Sequence, residues 1–186
     1  MVAHAIRAGC RWISLREKDL SEGDQIALVG ALLPIAWRNG ARVSLHGDPA
    51  LAKVANADGV HLAARSNLIA ARKLLGADKL IGVSIHTVTE AEAIDPGVVD
   101  YAIAGPAFET ASKPGYRPEI GRNGLAEIAA AARVPILAIG GINAMRAAEV
   151  LAAGPAGIAV MGGVMRAADP RQEMKALLAT ITDARC

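Results

Sequence analysis

VPILAIGGINAMRAAEVLAAGPAGIAVMGGV, the stretch from Val134 to Val164, spells two apolar parallel strands one helix apart, each ending in glycines. Ile136 to Ile139 and Gly157 to Met161 are runs of strand length, and Asn143 to Ala153 between them has helical composition. Gly140-Gly141 and Gly162-Gly163 then fall just beyond the strand ends, where the lack of a Cβ lets backbone N–H groups approach an anion. Either pair alone is the composition of a tight turn. Two pairs at matching positions on the last two strands describe a phosphate site, because a (β/α)8 barrel builds one from the loops after its final strands.

Outward from this stretch the same unit repeats. Trp12 to Arg16, Arg42 to Leu45, Asp58 to Leu62, Leu80 to Ile85 and Tyr101 to Ala104 are further candidate strands. Helical stretches at Gly23 to Trp37, Leu68 to Leu75, Thr89 to Ile94, Gly124 to Ala132 and Pro170 to Ile181 separate or follow them. Alternating strand and helix predicts a parallel sheet. Seven strands are one short of a (β/α)8 barrel, and Val2 to Ala8 reads as the end of a helix that an earlier strand would feed. The expected fold class is therefore α/β, a TIM barrel lacking its first strand, as a single domain over residues 1–186. Trp12 to Arg16 would then have an unpaired edge next to Gly157 to Met161.

Composition narrows the partners. A net charge of +2, with no basic stripe or interleaved aromatics, argues against nucleic acid. Cys10 and Cys186 lack metal-ligand spacing, so neither a disulfide framework nor a zinc site is expected. No apolar run is long enough to span a bilayer, and MVAHAIRAGC lacks the apolar core of a signal peptide, so the chain reads as cytoplasmic with no membrane partner.

Strand alternation selects the candidate site. In WISLREK, Ile13 and Leu15 face covering helices while Ser14, Arg16 and Lys18 face the other way, which brings two cations to a strand's C-terminal end. Cations there suit a polyanionic substrate more than a solvated pair balanced by Glu17 and Asp19. In IGVSIHT the same parity puts Gly82, Ser84 and His86 on one face, so His86 reaches the mouth, where an imidazole can do acid/base work. His46 opens on the same rim. The segment Gly105 to Gly121 is long for its position and rich in Gly, Pro and hydroxyls. Thr110, Ser112 and Lys113 in it could supply two hydroxyls and an ammonium to a phosphate when the loop closes.

LREK (Leu15 to Lys18), DGVHL (Asp58 to Leu62), GVSIHT (Gly82 to Thr87), DYAIAGPAFETASK (Asp100 to Lys113), AIGGI (Ala138 to Ile142) and GIAVMGGV (Gly157 to Val164) occur in the order found in the thiamine phosphate synthase family. The chain resembles that family over nearly its whole length. The resemblance implies a (β/α)8 barrel, and the family includes a paralogue, the thiazole tautomerase. Carried over by position, it makes Arg16 and Lys18 ligands of a pyrimidine diphosphate, puts Ser84 beside the pyrimidine and Thr110, Ser112 and Lys113 on a mobile loop, and has Gly141 and Gly162 hold a thiazole phosphate.

The departures bear on the reaction. Where the synthase has Asn-Asp, this chain has His46-Gly47, and where it has an acidic residue after its GVH motif, this chain has Ala64, Arg65, Ser66 and Asn67. Those family acids hold Mg2+ against the diphosphate, a job for carboxylate or similar oxygens. Asp48, one residue late, is the nearest substitute. No metal site or cofactor is expected, with Mg2+ entering only if the chain is a synthase. A tautomerase needs a phosphate anchor and an acid/base group, and the resemblance supplies both in the Gly141 and Gly162 loops and in His86. Gly47 and Phe108 to Thr110 also look like that branch. The expected function is therefore a thiazole tautomerase that aromatises carboxythiazole phosphate with His86 as its catalytic residue. The alternatives are thiamine phosphate synthase, which joins hydroxymethylpyrimidine diphosphate to thiazole phosphate, and a noncatalytic phosphate-binding relative. Synthases also carry the histidine of the GVSxHT motif, so His86 does not discriminate by itself.

Overall fold

The computed structural model describes residues 2–110, 115 and 118–183. Its elements in chain order are α1 (Val2–Ala8), β1 (Trp12–Leu15), α2 (Glu22–Arg38), β2 (Arg42–His46), α3 (Pro49–Val54), β3 (Gly59–Leu62), α4 (Leu68–Leu75), β4 (Leu80–Ile85), α5 (Val88–Glu92), β5 (Tyr101–Ala104), α6 (Gly121–Ala131), β6 (Ile136–Ile139), α7 (Ala144–Ala152), β7 (Gly157–Ala159), α8 (Gly162–Met165) and α9 (Pro170–Asp183). The strands form a seven-stranded sheet in chain order, and the registered pairs are parallel. This is the predicted TIM-barrel-like α/β fold short of one strand. Among the described residues, α1 precedes β1 and no strand precedes α1.

Polar caps set where the helices begin. Ser21 Oγ accepts the Asp24 N–H ahead of α2, whose first turn also carries Glu22 and Asp24 against the positive end of the helix dipole. Asp48, Asn67, Thr87 and Asn143 cap α3, α4, α5 and α7 in the same way. Each cap follows a strand by a few residues, which keeps the strand-to-helix loops short.

Contacts divide the chain into two compact units, one running to Val83 with Gly97–Asp100, the other comprising Ser84–Pro96 and the chain from Tyr101 onward. In the first unit, Leu15, Val43, Leu45, Val60, Leu62 and Ile81 from the strands pack with Ile6, Val29, Leu32, Leu33 and Ala71 from the helices. Two aspartates pin the register there. Asp58 gives its N–H to the Val43 carbonyl (2.8 Å), and its carboxylate takes the Val43 N–H (2.7 Å). Asp100 does the same to Ile81, at 2.8 and 2.6 Å, and its carboxylate is held by the Arg72 guanidinium.

In the second unit β5, β6 and β7 pair with Ala104 opposite Ala138 and Ile139 opposite Ala159. Leu125, Ile128, Ala147, Val150 and Leu177 bury the helix faces. The strand β7 ends two residues earlier than its apolar run predicts, because Gly162 already opens α8. Among the described residues no helix is long and apolar enough to cross a membrane.

Gly59 is required by packing, since a Cβ there would run into the Leu80 carbonyl oxygen of the neighbouring strand. Gly30, exposed in α2, would meet nothing within 4 Å. Urea unfolding should therefore show Gly59→Ala destabilised by about 1–3 kcal/mol and Gly30→Ala stabilised by roughly 0.5–1 kcal/mol. Equal effects would mean that the β3–β4 approach is looser than described.

Candidate active site

In the first unit the strand ends carry the expected cations. Arg16 is the first residue beyond β1, and Lys18 sits in the turn that follows, both exposed. The alternation that groups them in the sequence stops at Leu15, so Lys18 owes its place to the turn and not to strand parity. His46 ends β2, half-buried, and lies opposite His61 in the β2–β3 register, with ring centroids 5.0 Å apart.

His61 was not singled out as a site residue by its sequence, where DGVHL reads as strand. It is only 2 % exposed. Burial, reinforced by neighbouring His46, lowers its pKa from 6.5 to about 3, so the ring is neutral at physiological pH. Parity gives the signal that finds it: His61 alternates with buried Val60 and Leu62 and shares a face with His46 and Ser44. Ser44 is fully buried and accepts the Trp12 indole N–H at 2.7 Å.

A cavity of about 370 Å3 in this unit is lined by Gly47, Pro49, Leu62, Ser66 and Asn67, among others. Gly47 and Ser66 are the positions where the resemblance implies carboxylates around Mg2+, and neither offers one. Asp48 is occupied as a helix cap, its Oδ1 taking the Ala50 N–H at 2.7 Å. Ser66 Oγ donates to the Ala63 carbonyl, and Asn67 Oδ1 takes the Ala70 N–H. Among the described residues no group of three His, Cys, Asp or Glu could hold a metal ion. This donor set does not fit a carboxylate-held magnesium.

In the second unit, Ser84 and His86 are half-buried between buried neighbours Val83 and Ile85, as the alternation predicts. His86 Nδ1 lies 2.6 Å from the Gly105 carbonyl oxygen. A carbonyl can only accept, so Nδ1 carries the proton and Nε2 presents a lone pair in the neutral ring. The His86 N–H donates to Glu90 at 2.6 Å, which fixes the start of α5.

The expected lid is stitched down at its base. Ala107 and Phe108 donate N–H to the carbonyls of Ile139 (2.7 Å) and Gly140 (3.1 Å), and Ile120 and Gly121 donate back to Pro106 and Ala107. Thr110 is half-buried, while Ser112 and Lys113 lie outside the described residues.

The two glycine pairs differ in kind. Gly140 and Gly141 have φ of 107° and 63°, and a Cβ on Gly141 would strike Glu109 O and Phe108 Cβ. Turn geometry and packing already demand glycine at both. Arg146 closes this corner, donating to the Gly141 carbonyl at 3.2 Å with its guanidinium 4.6 Å from the Phe108 ring centroid. Gly162 and Gly163 open α8 without positive φ, and a Cβ on Gly163 would meet nothing within 4 Å. Packing gives no reason for glycine at 163.

Comparison with known proteins adds a second line of evidence. The model of the family described as thiamine monophosphate synthase matches residues 1–164. The thiamine-phosphate synthase of Roseiflexus sp. (strain RS-1) is 40 % identical over 99 % of this chain and 78 % of its own length. That of Chlorobium luteolum is 37 % identical over 100 % of this chain and 88 % of its own. The structure of thiamine phosphate pyrophosphorylase from Pyrococcus furiosus superposes with a TM-score of 0.89 at 29 % identity, over 98 % of this chain and 88 % of that one.

These relatives overturn the expectation of a thiazole tautomerase. That expectation leaned on the missing carboxylates and on His86, but the His86 motif is shared by both branches. Likeness over 99–100 % of this chain to proteins named thiamine-phosphate synthase outweighs it.

The neutral state of His61 sets a pH dependence. Between about 3 and 6.5 the unfolded chain binds a proton that the folded chain does not, so stability falls as pH drops below 6.5, by up to ~1.4 kcal/mol per unit. Urea unfolding at several pH values from about 6.5 down to 4 should give a steeper loss for the wild type than for His61→Gln. Identical slopes would show that His61 is charged in the folded protein.

Proposed function

Because the chain belongs to the thiamine monophosphate synthase family, we propose that it is a thiamine-phosphate synthase, a transferase of thiamine biosynthesis. The observation that carries this reading is the 37–40 % identity, across nearly all of the chain, to proteins of that name. Its substrates are a pyrimidine diphosphate and a thiazole phosphate. The C–O bond between the pyrimidine methylene and the diphosphate breaks, and its electron pair leaves with pyrophosphate. The lone pair of the thiazole nitrogen forms the new C–N bond.

Each unit contributes separate functions to this reaction. In the first, Arg16 and Lys18 bind the diphosphate, and their charge stabilises the pyrophosphate as it departs. His46 borders the same strand ends. In the second, Gly162 and Gly163 at the start of α8, together with Gly140 and Gly141, hold the thiazole phosphate through backbone N–H groups. Ser84 contacts the pyrimidine, and Thr110, Ser112 and Lys113 add contacts from the loop. His86 becomes a positioning residue: its Nδ1–H ties the end of β4 to Gly105, where the loop begins.

Supplying both substrates to the purified protein and measuring thiamine phosphate tests the reading directly, and absence of product under every condition would overturn it. Bond making here transfers no proton, so His86→Asn should cost less than about tenfold in rate, whereas Arg16→Ala or Lys18→Ala should cost roughly 10–100-fold by removing a charged contact to the leaving group. A rate loss at His86→Asn exceeding that at Arg16→Ala would return the histidine to the chemistry.

A further inference from the structure

In the second unit, the loop after β6 has its carbonyls engaged and its N–H groups open. Ile139 O takes the Ala107 N–H at 2.7 Å, Gly140 O takes the Phe108 N–H at 3.1 Å, and Gly141 O takes Arg146 Nη1 at 3.2 Å. The N–H groups of Gly141 and Ile142 meet no acceptor among the described residues. Ile142 is buried, and backbone N–H groups in such places are rarely left without an acceptor, so these two call for one from outside the chain. The Gly141–Ile142 peptide is trans and planar, which sets its N–H opposite its carbonyl. Whatever holds that carbonyl also aims the N–H.

Two of the three carbonyl contacts come from backbone and survive a change of side chain. The third depends on Arg146 alone. Arg146 stands in the first turn of α7 with its guanidinium 4.6 Å from the Phe108 ring centroid, and among the described residues no carboxylate pairs with it. Phe108 is also the residue whose N–H holds Gly140 O and whose Cβ a side chain at Gly141 would strike. Ring and loop together therefore confine the guanidinium, and a planar fork held on an aromatic face loses little further freedom when it donates. Glycine leaves the peptide plane free to rotate on its 141 side, and a rotation would carry the Ile142 N–H off line. We infer that Arg146 is a positioning residue: stacked on Phe108, it pins the Gly141 carbonyl and so aims the Ile142 N–H at the phosphate of the thiazole substrate. This inference deepens the synthase reading and rests on it for the identity of that phosphate.

Inorganic phosphate is the probe, titrated calorimetrically onto the full chain, alongside a thiamine phosphate assay that measures KM for each substrate separately. Arg146→Ala should weaken phosphate binding and raise KM for the thiazole phosphate, each roughly 3–10-fold, with KM for the pyrimidine diphosphate unchanged. Phe108→Leu, which removes the ring and keeps the arginine, should move the same two values by a smaller factor, and adding it to Arg146→Ala should change little further. Arg146→Lys, which keeps a charged donor but loses the planar fork, should recover part of the loss. The factor between wild type and Arg146→Ala should persist in about 1 M KCl, where a charge acting across solvent is screened within about 3 Å. An Arg146→Ala variant that binds phosphate as well as wild type, a difference that the salt abolishes, or equal rises in both KM values overturns the inference. Product formed by Arg146→Ala with an unchanged KM for the thiazole phosphate sinks the positioning role and keeps the synthase. Phosphate binding that depends on Arg146, with no thiamine phosphate formed under any condition, keeps the positioning role and sinks the synthase.

Discussion

Strand register is the constraint on which the chemistry of the first unit depends. Asp58 and Asp100 each engage both the N–H and the C=O of one residue on the preceding strand, Val43 and Ile81. Such double attachment admits one pairing. A slip of one residue would turn Val43, Leu45, Val60 and Ile81 away from the helices and put His46, His61 and Ser44 in their place. The aspartates are themselves fixed, Asp58 by the Trp37 indole at 3.0 Å and Asp100 by Arg72, whose guanidinium also reaches the carbonyls of Gly76, Lys79 and Val98. These contacts lie at the strand N-termini, so they hold the scaffold without entering the rim where the cations stand.

That register sorts polarity along the strands of the first unit. Midway along, the face opposite the helices carries neutral polar groups: Ser44 accepts from Trp12, and His61 stays unprotonated. Charged Arg16, Lys18 and Arg65 stand beyond the strand ends together with Glu17, Asp19 and Asp48, all of them exposed to water. A charge placed at residue 61 would cost several kcal/mol without a partner, which is why the ring there remains neutral while cations a few residues further along persist.

Much of this was legible in the sequence. All seven strands stand within two residues of their predicted ends, because four- to six-residue apolar runs between turn residues have few other readings. The two missed helices, α3 and α8, have six and four residues, too few turns for a helical period to show. Alternation along β4 predicts the half-buried Ser84 and His86 between buried Val83 and Ile85, while His61 lies in a motif whose composition is that of a strand, and only its parity with Val60 and Leu62 marks its face. The sequence makes Gly140 and Gly141 an expected anion cradle, and the structure gives them a local reason through positive φ and the packed backbone of Phe108 and Glu109. The choice between synthase and tautomerase was not legible, since it turned on a histidine motif common to both and on acids whose loss has more than one consequence.

The loss of those acids is best weighed as an exchange of geometry as well as of charge. A magnesium ion would draw phosphate oxygens to about 2.0–2.1 Å and demand an octahedral shell, whereas a guanidinium binds them at about 2.7–2.9 Å through donors fixed in a plane. An ion finds its own place among its ligands, but a side chain must be delivered to its place by the backbone. Arg65 stands at a left-handed φ of 67°. Strain of this kind persists where the surrounding structure dictates it, and here buried Leu62 on one side and the Asn67 cap on the other confine the turn to a few residues.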